Sequence, residues 1–168
     1  PSNSSMDQIF SQIGEGYFCA ERFSEEVVRI IPKLVPLTRK FWQNVKIKML
    51  PTPANFHYVF NLRDLSRIWE GILKVHGEEV KDETDVMKLW CHECTRVIAD
   101  RFTDQKDTTW FLNRMKKDAE AELEEDFEFY PEAPTYWVDF LRDPPEGVED
   151  DDEEMSMDAP KIYEEIPR

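Results

Sequence analysis

HYVFNLRDLSRIWEGIL, residues 57–73, carries both a helix start signal and a helical period. Asn61 stands ahead of the apolar run with Asp64 at the third helical position, the layout of a side-chain-capped N-terminus. Leu62, Leu65, Ile68, Trp69 and Ile72 then recur three and four residues apart, which places them on one apolar face. The HYVF that precedes them is extended in character.

The same period repeats on both sides. Ser4 or Ser5 can cap a first helix bearing Ile9, Phe10 and Ile13, which Gly14 to Gly16 should end. Ser24 caps a second, with Glu25 and Glu26 in the dipole-favoured first turn and a long apolar stripe from Val27 to Met49. Pro32 and Pro36 should kink it, and Pro51 and Pro53 stop it. Thr84 is expected to cap a fourth helix over 85–102, and Asp107 a fifth over 108–126. The fold class is therefore all-α: a bundle of about five helices over residues 1–126.

Residues 127–168 differ in kind. They are rich in proline and acid, with isolated aromatic clusters, and read as a largely irregular linker. Tyr136, Trp137 and Phe140 are too bulky for a wholly solvated chain, so the segment 128–141 is expected to pack on a neighbour.

Charge follows the same division. The chain carries a net −15, but residues 118–168 hold 20 acidic and 3 basic side chains while residues 1–117 hold 16 and 18. A nearly neutral body with an acidic tail lacks the basic, aromatic-interleaved stripe of a nucleic-acid grip. No apolar run reaches membrane-spanning length. The N-terminus lacks the basic-then-apolar layout of a signal peptide. Three cysteines without a framework spacing read as reduced thiols of an intracellular protein. Pro1 is not an encoded start, which predicts that the chain is part of a longer one.

WCHEC, residues 90–94, raises the question of a metal. On a helix, Cys91 and Cys94 lie about 60° apart while His92 points about 160° away from Cys94, so the three cannot meet one ion. No second Cys/His pair follows, since His57 and His76 are isolated, and no metal site is expected. His92-Glu93 is not the His-Glu-x-x-His motif, Ser24 and Ser66 have no nucleophile elbow, and no glycine-rich phosphate loop exists. No catalytic residue is expected in this chain by itself.

One position points at a ligand. Arg63 falls in the first turn of the third helix, where free backbone N–H groups and the positive dipole end favour an anion. A guanidinium there suits phosphate. The competing reading is a surface arginine paired with Asp64 or Glu70. Arg67, one turn on, shares the face.

The two blocks 57–73 and 89–111 carry a resemblance. His57, Tyr58, Phe60, Asn61, Arg63, Asp64, Ser66 and Arg67, followed by Trp90, His92, Glu93, Arg96, Val97, Asp100 and Arg101, resemble the dynein heavy chains. The likeness is to the lid of the third AAA+ module of the motor ring, most similar to the axonemal outer-arm type. It implies a helical small subdomain that closes over nucleotide held by a large subdomain preceding Pro1, where Walker A, Walker B and sensor 1 belong. Arg63 matches the family's sensor 2 arginine, Asn61 would hold the helix start, and Arg67 would support phosphate or an adjoining face.

Implied cofactors are ATP or ADP with Mg in the parent and none for the isolated fragment. Implied partners are the large subdomain, the following AAA+ module and, through the parent motor, microtubules, with neither nucleic acid nor membrane. The implied location is the cytoskeleton of the ciliary axoneme. The alternative is a non-catalytic protein-interaction module that works through the acidic and aromatic C-terminal segment.

Overall fold

The computed structural model describes residues 2–123, 136–141 and 162–166. Helix α1 spans Asn3–Tyr17, α2 Glu25–Lys48, α3 Leu62–Ile72, α4 Glu83–Val97 and α5 Gln105–Leu123. A 3₁₀ turn, Ala99–Arg101, follows α4, and two short strands, β1 Trp137–Val138 and β2 Glu164–Glu165, close the described chain. The helical bundle expected from the period is the fold.

Several boundaries move, each for a local reason. The cap of α1 is Ser2 rather than Ser4 or Ser5, because its hydroxyl accepts from the Ser5 N–H at 3.2 Å. The helix also runs through Gly14 and Gly16 instead of ending there. Gly14 is a packing glycine: a Cβ on it would lie 3.2 Å from Ile31 Cγ2, so its bare backbone lets α1 approach α2 closely. Asp82, not Thr84, caps α4 by accepting from the Asp85 N–H at 2.9 Å. Asp104, not Asp107, opens α5 by accepting from the Lys106 N–H at 2.9 Å. Both carboxylates stand just before the first turn, where an oxygen reaches the orphan N–H groups.

Helix α2 is the axis of the bundle. It packs against α1, α3, α4 and α5, while α3 and α4 pack on each other. It runs continuously across Pro32 and Pro36. Pro32 is exposed and Pro36 half-buried. Ile31, Leu34, Val35 and Phe41 are buried along the opposite side and hold the helix in place. Phe41 sits between Trp90 and Phe111, with ring centroids 5.7 and 5.1 Å away. Ser24 stands at the cap position of α2, yet its hydroxyl donates to the Lys81 carbonyl at 2.6 Å and so ties α2 to the loop before α4.

Residues 57–60 form no strand but keep the alternation of an extended chain, with Tyr58 and Phe60 buried and Val59 exposed. The aromatic C-terminal segment divides: Trp137 is buried in this chain's own core, as is Tyr163, whereas Tyr136 and Phe140 are exposed. Strands β1 and β2 pair antiparallel, Trp137 opposite Glu165 and Val138 opposite Glu164, and Tyr163 bridges to Val75 after α3. The expected domain boundary at 126/127, Phe129 and Tyr130, and the acid run all lie outside the described residues. Among the described residues no helix is long and apolar enough to cross a membrane.

Candidate functional site

The start of α3 is built as a closed unit. Asn61 is extended (φ −132°, ψ 178°), and its side-chain oxygen accepts from the Arg63 N–H at 2.9 Å. In return the Asp64 carboxylate accepts from the Asn61 N–H at 2.9 Å, completing a capping box. Asp64 is buried, and its second oxygen takes the guanidinium of Arg101 from the 3₁₀ turn. Arg101 also donates to the Val59 carbonyl at 3.1 Å and lies over the Phe60 ring at 5.2 Å. The loop 57–60, the start of α3 and the turn after α4 are thereby fastened at one point.

This changes how the site can hold an anion. Asn61 takes the Arg63 N–H, and the Asp64 N–H is directed to the Asn61 carbonyl at 3.0 Å. The backbone N–H groups expected to be free are therefore partly committed to the cap. The cation is the Arg63 side chain itself. It is exposed, and among the described residues no ion pair or side-chain hydrogen bond takes up its guanidinium. Asp64, the expected competitor, is held by Arg101 instead, and Glu70 makes no pair with Arg63. Arg67 is 51% exposed and its nearest carboxylate is Asp64, 4.0 Å away. Asn61 and Arg63 thus stand at the start of α3, the first fixing the backbone and the second presenting charge, with Arg67 one turn on at the middle of the helix.

An apolar groove adjoins this end. Ile9 and Ile13 on α1 and Leu62 and Trp69 on α3 line a cavity of about 380 Å³, and Leu62 is the residue before Arg63. Ile9, Ile13 and Leu62 are exposed, which is uncommon for three large apolar side chains around one groove.

Phosphate fits the uncommitted guanidinium of Arg63. A metal bound to phosphate would take its protein ligands elsewhere, since among the described residues no three His, Cys, Asp or Glu side chains converge. The WCHEC residues separate as the helical angles require. Cys94 is buried, Cys91 half-buried, and burial raises the pKa of both thiols. Glu93 is wholly buried and turned toward α3 and β2.

The AAA+ lid domain family matches residues 34–129 of the chain. This chain belongs to the AAA+ lid domain family. It is 53% identical to dynein axonemal heavy chain 5 of Rattus norvegicus over 169 residues, covering 99% of this chain and 5% of that one. It is 45% identical to dynein axonemal heavy chain 8 of Mus musculus, and 34% identical to the dynein gamma chain of the flagellar outer arm of Chlamydomonas reinhardtii. Each of those covers 99% of this chain and 4% of the relative. The lid domain thus spans about a twentieth of the relatives it matches.

The Asn61 cap and the first-turn position of Arg63 are as the sequence predicts, while the sequence reading gave no role to Arg101 or Glu93. Both stood in the family pattern. That was the available signal. Tyr163 had none, because its partner lies 70 residues away.

Proposed function

We propose that this chain is the lid of the third AAA+ module of an axonemal, outer-arm-type dynein heavy chain. It closes over nucleotide held by the preceding large subdomain and relays nucleotide state around the motor ring. The observation that carries the reading is the Arg63 guanidinium, exposed and uncommitted on a helix whose start is locked by Asn61, Asp64 and Arg101. A cation on a rigid helix converts the distance to a phosphate into an angle of the whole lid. Arg67 adds positive charge one turn on. The groove between α1 and α3 is an apolar seat for the large subdomain, and the C-terminal end leads toward the next module. Through the parent, the chain serves a microtubule motor of the ciliary axoneme with ATP or ADP and Mg as its ligands.

In this reading the isolated chain has no ATPase activity. In a protein joining it to its large subdomain, Arg63→Ala weakens ATP binding about 10- to 100-fold, the worth of a charge-assisted hydrogen bond. Unchanged affinity, measured by titration with a fluorescent ATP analogue, would remove Arg63 from the site. The alternative, a protein-recruiting module built on the aromatic segment, loses its largest anchor because Trp137 is buried within the fold.

A further inference from the structure

We propose that the Glu93 carboxylate is a latch that docks the β1–β2 ribbon, set in place by the bare backbone of α3 at Gly71, so that displacing the carboxylate releases the ribbon while the helical body stays folded. Glu93 lies on α4, wholly buried, and each side of its carboxylate is engaged. Oε2 accepts two bonds from the Arg96 guanidinium, at 2.8 and 3.0 Å. Oε1 accepts from the Tyr163 hydroxyl, beside β2. The third neighbour is backbone. A Cβ built on Gly71 of α3 would stand 1.9 Å from Oε2 and 2.2 Å from Cδ, so the carboxylate occupies the space that any other residue of α3 would fill. The backbone of α3 therefore sets where the carboxylate sits, and the carboxylate sets where Tyr163 docks.

Other contacts support the ribbon, among them the His92 ring, 6.3 Å from those of Tyr136 and Tyr163. Its strands are two residues each, too short to persist unsupported. Besides the Tyr163 hydroxyl, it is held by the burial of Trp137, whose ring lies 6.1 Å from that of Tyr163, by the bridge to Val75, and by a half-exposed pair between Lys88 and Glu165 at 3.6 Å. A two-stranded ribbon docked chiefly through two aromatic rings and a buried polar contact is the kind of element that opens before the rest of a fold. α2 and α5, by contrast, are packed into the main core. The inference needs only that Glu93 holds Tyr163 from the place Gly71 leaves open, and it stands whether or not Arg63 meets a phosphate.

Amide hydrogen exchange on the 168-residue chain tests it, with the Ile166 amide, bonded to the Tyr136 carbonyl at 2.9 Å, as reporter. Tyr163→Phe keeps the ring and removes only the hydroxyl. Exchange at residues 163–166 should then accelerate about tenfold or more, the effect of losing a hydrogen bond to a charged group, while α2 and α5 keep their protection. Gly71→Ala alters no residue of the ribbon and should accelerate the same amides by displacing Glu93. Unchanged ribbon exchange in Tyr163→Phe overturns the latch. Loss of protection in the ribbon and α2 in equal proportion also overturns it, since the ribbon would then belong to the global core. If Gly71→Ala does not fold, Tyr163→Phe decides alone.

Discussion

Arg101 reaches from the turn after α4 to the buried carboxylate of Asp64 in the first turn of α3. One contact thereby joins two stretches 37 residues apart and holds the capping box that encloses Arg63. The cation that the proposed function uses is kept available because a different arginine satisfies the nearby acid.

Removing that acid should be costly. Asp64→Ala deletes a cap and strands the Arg101 guanidinium, and the expected loss is about 2–4 kcal/mol in denaturant unfolding, below the full value of a buried pair because Arg101 is partly exposed. Arg101→Ala should cost a comparable amount by leaving the carboxylate buried with less compensation. The double variant should lose clearly less than the two single losses added. Additive losses would show that the two residues act independently.

Thr38 supplies a second buried polar junction. Its hydroxyl donates to the Leu34 carbonyl at 2.7 Å and accepts from the Trp90 indole N–H at 2.9 Å. Thr38→Val preserves the shape and removes both bonds, leaving the indole N–H of a fully buried tryptophan unpaired. The expected destabilisation is about 1–3 kcal/mol, with Thr38→Ser close to the parent. Equal stability of the Val and Ser variants, followed by thermal unfolding, would show that the hydroxyl contributes nothing.

Alkaline pH should weaken the fold through groups kept neutral inside it. Burial raises the Cys91 and Cys94 thiols above their ordinary 9.0, and burial followed by the bond to Glu93 raises the Tyr163 hydroxyl above its ordinary 10.0. The unfolded chain releases these protons first, so the stabilisation is complete below the unfolded values and is lost as pH rises beyond them toward the folded values. Unfolding midpoints at about pH 7 and about pH 10.5 should differ, and Cys94→Ala should narrow the gap. In the native protein Cys94, which is buried, should react with a thiol reagent more slowly than the half-buried Cys19. Equal rates at these two thiols would contradict this burial pattern.

The bundle was legible in the sequence wherever a local rule sufficed. The Asn61 to Asp64 box formed as read, since both partners lie within one helical turn. The caps of α4 and α5 were misplaced by two and three residues because several polar residues cluster at each start, and only side-chain geometry selects Asp82 and Asp104. Ser24 shows the limit of such rules, since a carbonyl 57 residues away takes its hydroxyl.

The sequence by itself determined the helical periods, the separation of the WCHEC side chains and the placing of Arg63 in a first turn, because each depends on neighbours within a few residues. Tertiary structure alone decided that Arg101 occupies Asp64, that Glu93 fills the space left by Gly71, and that Trp137 is buried in this chain's own core. Those outcomes depend on which charges and rings are brought together across tens of residues. A buried charge takes whichever partner packing delivers, and no local pattern records that choice.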